Sequence, residues 1–283
     1  MLTHFICSDN QRIKCSDCLS ECRMKQRCAP YMFLFKASQD RKPILDRLPS
    51  VTEILSPFRY TYLKQKYDYA EMPKEMIFKI HGSAAHYFLE DEEGAVEHIA
   101  TELSLTDKKE KFKGTIDCYD FTRGGVISDY KFLGKYKIGT YLEDFNKNAL
   151  DYKRQINGYR ILLEDNDYSV SGAELNCFCR DFRGYEHKQE VANQGKVYKT
   201  GNKAGQPYPK PVEPFYCFPV ELYDRNEFRE FFYQRIEMLM HYLREDIMPP
   251  VCEDRWGDKK CKGYCPPNEY CDYYVEKYGE EKQ

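Results

Sequence analysis

The chain has 283 residues, enough for one large core or two small ones. Its 43 Lys and Arg against 46 Asp and Glu leave a formal net charge of −3. No global basic field is therefore available for gripping nucleic acid, and such binding has to use a local patch.

Residues 1–30 are a cysteine-rich module with Cys7, Cys15, Cys18, Cys22 and Cys28. The start, MLTHFICSDNQRIKC, has no basic stretch followed by an apolar one, and no later run approaches the length of a membrane span. The expectation is a soluble cytoplasmic protein with no membrane partner. Residues 50–66 read as helix with a break at Pro57, and residues 74–93 as a helix with apolar positions at spacings of three and four. Two strands follow within 114–132. Residues 142–165 read as a helix stopped by Asn166 and Asp167, and residues 169–182 alternate like a strand. Residues 184–214, rich in Gly, Pro, Lys and Asn, read as a long loop or an extended hairpin. A strand over 215–223 and a helix over 224–244, capped by Asp224, precede Pro249-Pro250 and a second cysteine module over 249–275. This order predicts an α/β fold with a mixed sheet. The 25 tyrosines suit half-buried surfaces and stacking platforms.

The strand pair carries the chemistry. In GTIDCYDFTRGGVISDYKF, residues 114–132, two strand-like runs are joined by Thr-Arg-Gly-Gly. Asp129 and Lys131 are two apart and share a face of a regular strand. A hairpin-like turn brings Asp117 alongside, whereas Asp120 is off by one face. Two carboxylates held close repel, and their pKa values rise unless a cation lies between them. Hard oxygen ligands favour Mg²⁺ or Mn²⁺. Such an ion can bind a phosphate oxygen and activate a water. Lys131 would orient that water or stabilise charge at the phosphate.

This stretch resembles the core of the PD-(D/E)XK nuclease superfamily, in its RecB-like branch, which includes CRISPR-associated exonucleases and many phage proteins. Asp117 stands in the G-x-x-D element, and Asp129 and Lys131 form the D-x-K element. Upstream, HGSAAHYFLE is similar to the branch's G-x-x-x-H element, with Gly82 and His86. Downstream, QINGY is similar to its Q-x-x-x-Y element, with Gln155 and Tyr159 one helical turn apart. The motifs cover residues 50–245. The resemblance implies a restriction-endonuclease-like core, a central mixed sheet flanked by helices. It makes Asp117 and Asp129 metal ligands, together with His86 and the main-chain carbonyl of Tyr130. It makes Lys131 the catalytic lysine, with Gln155 and Tyr159 beside the site, contacting DNA or supporting the lysine. Glu90, one turn after His86, is a candidate to orient it.

Without a secretory route, clustered cysteines read as metal ligands. Cys15, Cys18, Cys22 and Cys28 have the spacing C-x2-C-x3-C-x5-C, and Cys252, Cys261, Cys265 and Cys271 have C-x8-C-x3-C-x5-C. Either set can close around zinc or hold a 4Fe-4S cluster. The resemblance favours iron–sulfur at the C-terminus, where relatives join three late cysteines to one early one. Here Ser56 occupies the early place, so the fourth ligand is either Cys252 or a cysteine of the N-terminal module. Zinc is favoured at the N-terminus. The expected function is a metal-dependent DNA nuclease, an exonuclease on single-stranded or end-bearing DNA in replication, recombination or repair. Lys135, Lys137, Lys153, Arg154, Lys196, Lys199, Lys203 and Lys210 are candidates to track the DNA backbone. The alternative is a non-catalytic nucleic-acid-binding or recombination accessory protein that keeps a nuclease fold.

Overall fold

The structure, a computed structural model, describes residues 1–279 apart from 25, 40–41, 91–93, 95, 209 and 254–256. In chain order the elements are β1 (Leu2–Ile6), β2 (Arg12–Lys14), α1 (Cys15–Ser20), α2 (Tyr31–Ala37), α3 (Val51–Leu55), α4 (Phe58–Lys66), β3 (Tyr69–Glu71), α5 (Ile77–Leu89), β4 (Ile99–Thr106), β5 (Lys113–Asp120) and β6 (Val126–Leu133). Then come α6 (Lys135–Glu143), α7 (Phe145–Asn148), α8 (Leu150–Asp165), β7 (Gly172–Cys179), α9 (Gly184–Ala192), β8 (Phe215–Pro219), α10 (Arg225–Arg244), α11 (Lys259–Gly263) and α12 (Asp272–Tyr278). The chain is α/β with a mixed five-stranded sheet, in the order β4-β5-β6-β7-β8, and a smaller three-stranded sheet, β2-β1-β3. Among the described residues no helix is long and apolar enough to cross a membrane.

The chain forms two compact units, and both are discontinuous in sequence. One comprises 1–83, 106–114 and 226–283, and the other 84–105 and 115–225. Both cysteine-rich ends fall in the first unit, so it does not follow the three consecutive stretches 1–30, 50–245 and 249–275. Its core includes Phe5, Leu34, Ile54, Leu63, Phe112, Phe232 and Leu239, all buried. Each such side chain contributes about 1.5–3 kcal/mol when fully buried. The break at Pro57 separates α3 from α4, and Ser50 and Glu53 close a reciprocal capping box at the start of α3.

The second unit carries the larger sheet's central strands. β5 and β6 pair antiparallel, and β6 and β7 pair in parallel from Val126↔Gly172 to Leu133↔Cys179. A parallel pair needs a long crossover, which α6, α7 and α8 supply. β7 alternates strictly, burying Ala173, Leu175, Cys177 and Cys179. The expected single helix over 142–165 is divided. Asp144 adopts an extended backbone and its side chain accepts from the Lys147 amide, which starts α7 afresh. Gly125 has φ +85°, and a Cβ there would run into the Ser169 carbonyl oxygen and the Tyr119 hydroxyl.

Three further expectations are refined. The helix over 74–93 is a 3-10 turn, Pro73–Met76, followed by α5, which ends at Leu89; residues 91–93 lie outside the described residues. The segment 184–214 holds α9 and then a small excursion closed by the Val197↔Pro207 bridge, where Tyr198 and Tyr208 stack at 3.9 Å. β4 was not expected. Its first five residues are all half-buried, without alternation, and among them Glu102 has a left-handed φ of +47°. A non-glycine residue in that region is uncommon and redirects its own side chain.

Candidate active site

The site grows from the place where the β5–β6 ladder ends. Cys118 pairs with Ser128, and beyond that pair the Asp117 side chain substitutes for the backbone: its Oδ2 accepts from the Tyr130 amide at 2.7 Å. The acid is thus fixed by the strand it leaves. Asp129 and Lys131 follow on β6 with Lys131 Nζ 2.6 Å from Asp129 Oδ2 and 3.9 Å from Asp117 Oδ2. The lysine also donates to the Tyr130 carbonyl at 3.3 Å. Asp129 is fully buried and Asp117 nearly so.

α8 supplies the next layer. Gln155 Nε2 donates to Tyr159 Oη at 2.6 Å and lies 3.5 Å from Asp129 Oδ1. Tyr152, one turn earlier, presents its ring to Lys131, with Nζ 5.3 Å from the centroid. Tyr152 was missed by the sequence reading, although its spacing from Gln155 and Tyr159 places all three on one helix face.

His86 comes from α5. Its Nδ1 is 3.6 Å from Asp117 Oδ1 and 3.1 Å from Glu102 Oε1. His86, Glu102 and Asp117 each offer a ligand atom, and these atoms lie within 4.8 Å of one another. Glu102, also missed, takes the place beside His86 that Glu90 was a candidate for. The six acids between 90 and 102 carry no pattern that selects it, because its direction is set by the left-handed backbone of β4. Asp120 is engaged elsewhere: its Oδ1 accepts from the Thr122 amide and hydroxyl.

The electrostatics follow from burial. Desolvation pushes the Asp129 carboxyl up to about 6; Lys131 opposes this and Asp117 adds to it. Asp117 is likewise raised, first by burial, against the pull of Lys131. Burial works against the charged form of Lys131, but Asp129 and Asp117 outweigh it and hold the ammonium protonated beyond its ordinary range. Three of the lysines expected to track DNA are otherwise engaged. Lys153 is buried against Asn146 and Glu221, Lys135 pairs with Glu186 and Glu190, and Lys137 donates to the Asn148 carbonyl.

The first unit holds both cysteine-rich modules. Burial, then the nearness of Cys252, Cys261 and Cys271, pushes the Cys265 thiol up to about 12. Arg59 reaches the same place, donating to Cys271 Sγ at 3.6 Å and to the Pro249 carbonyl at 2.7 Å. Ser56 donates to the Thr52 carbonyl at the end of α3. In the N-terminal module Cys18, Cys22 and Cys28 line a common cavity, but the fourth cysteine on it is Cys7. Cys15 packs in an apolar cluster with Phe5, Leu34 and Met76.

Together, fold and site define an α/β protein with a buried carboxylate–lysine cluster on a central strand. No family model matches the sequence, and no curated protein does. Among solved structures, the crystal structure of SSO0001 is similar over 86% of this chain and 92% of that one, at a TM-score of 0.46 and 15% identity.

Proposed function

We propose that this chain is a metal-dependent DNA nuclease of the PD-(D/E)XK type, acting as an exonuclease on single-stranded or end-bearing DNA. The observation that carries the reading is Lys131 held as a half-buried cation against the fully buried Asp129, with Asp117 on the neighbouring strand. A purely structural core has little use for such a set, because buried ion pairs gain little over well-packed apolar residues.

The donor set fits Mg²⁺ or Mn²⁺. Asp117, Asp129 and Glu102, when ionised, place three negative charges against the one of Lys131, and a divalent ion balances the remaining two. His86, Glu102, Asp117, Asp129 and the Tyr130 carbonyl are the groups that would hold it. Bound there, the ion supplies Lewis acidity toward a phosphate oxygen and an acidified water. Lys131, kept protonated, serves as a cationic hydrogen-bond donor to the phosphate as charge builds on its oxygens. Gln155 and Tyr159, bonded to each other, set the position of Asp129.

The C-terminal cysteines, of which Cys271 is buried and Cys252, Cys261 and Cys265 are half-buried, are proposed to hold a 4Fe-4S cluster. The test of the nuclease reading is incubation of the purified chain with end-labelled single- and double-stranded DNA and Mg²⁺ or Mn²⁺, beside Asp129→Ala and Lys131→Ala. Metal-dependent degradation abolished by both substitutions supports it. DNA binding without cleavage, from folded protein with its cysteine metals in place, would favour the accessory alternative.

A further inference from the structure

We propose that Cys7, Cys18, Cys22 and Cys28 form a four-thiolate site for a single thiophilic divalent ion, with zinc as its natural occupant. The site is separate from the C-terminal cysteines and excludes Cys15.

Cys7, Cys18, Cys22 and Cys28 line one cavity of about 20 Å³, together with Phe5 and Arg27. That is room for about one water-sized occupant; a four-iron cube is several times larger. The chain elements converge on the cavity from different directions. Cys7 opens the β1–β2 turn, where its amide bonds to the Gln11 carbonyl, its carbonyl accepts from the Asn10 amide, and Asn10 is left-handed. Cys18 lies on α1, and Cys22 and Cys28 lie in the irregular stretch before α2. The spacing Cys18-x3-Cys22 matches a zinc pair.

Arg27 donates to the Cys18 carbonyl at 3.1 Å and so places a cation beside the cysteines. A divalent ion bound there displaces the thiol protons. Among the described residues no three of the four sulfurs lie within 4.8 Å of one another. Tetrahedral zinc thiolates hold sulfurs about 4 Å apart. Binding therefore draws the hairpin turn, α1 and the irregular stretch inward, so ion and local order are coupled.

This inference does not rest on the nuclease reading, and a catalytically silent chain tests it equally. The full-length protein is analysed for zinc and iron by mass spectrometry, beside Cys7→Ser, Cys18→Ser, Cys22→Ser and Cys15→Ala. One equivalent of zinc is expected in the parent and in Cys15→Ala, and a loss of one equivalent in the other three. Cys28→His guards against variants that fail to fold. Loaded with Co²⁺, it keeps one ion and shifts the tetrahedral d–d bands toward those of a three-sulfur, one-nitrogen site. The proposal is overturned if the parent lacks that zinc equivalent, if Cys15→Ala loses the ion while Cys7→Ser keeps it, or if Cys18→Ser removes iron and visible charge-transfer absorption instead of zinc.

Discussion

The acid–lysine cluster and the N-terminal cysteine cavity are built by opposite means. Asp117, Asp129 and Lys131 sit on paired strands, one of them locked to its neighbour by a backbone amide, and their spacing is set before anything binds. Cys7, Cys18, Cys22 and Cys28 come from a turn, a six-residue helix and an irregular stretch, and among the described residues no three of their sulfurs lie within 4.8 Å of one another. Where the scaffold supplies rigidity, chemistry is pre-organised. Where it does not, the ligand has to supply part of the order.

The sharpest break of that contrast is removal of the charges themselves. Lys131→Ala or Asp129→Ala is expected to lower the cleavage rate by about a hundredfold to a thousandfold or more, read from initial rates on end-labelled DNA. Lys131→Ala also leaves a buried acid uncompensated, which costs about 3–5 kcal/mol if that acid remains charged. Urea denaturation at neutral pH measures that loss.

A second test uses protons. In the metal-free chain the folded Asp129 carboxyl titrates at about 6, against an ordinary value of 3.8. Between these values the folded state retains a proton that the unfolded chain has released. Stability from this group is therefore present at low pH and lost as pH rises through 6, by about 3 kcal/mol. The difference in unfolding free energy between parent and Asp129→Asn, followed from pH 4 to 7, is expected to show that slope. A flat difference would mean that Lys131 fully offsets burial.

A smaller effect refines the picture. Glu102→Gln is expected to weaken Mn²⁺ binding about tenfold to a hundredfold while Glu90→Gln leaves it unchanged, measured by titration calorimetry.

Much of the larger sheet could be read from residues because its signals are local. The alternation around Asp117 and Asp129, the Gly-rich turn between them and the apolar face of α8 each follow from neighbours a few positions away. The metal-side residues were partly hidden. His86 was legible through its helical spacing from Gly82, but Glu102 depends on a left-handed backbone in a strand that mixed charge disguised. The N-terminal cysteines show the same limit. Spacing made Cys15 look like the partner of Cys18, yet strand pairing of β1 with β2 brings Cys7 round to the cavity and turns Cys15 into the apolar cluster. Long-range pairing, not local pattern, made both choices.

The glycine at 125 has a consequence for how the acids stay in place. With no room for a methyl against Ser169 and Tyr119, and a backbone that only glycine adopts freely, this position pins where β6 starts. A slip of β6 by one residue would carry Asp129 and Lys131 to the opposite face of the sheet together. Gly125 thus works as a register lock, and a saturation library at this codon should return almost nothing but glycine.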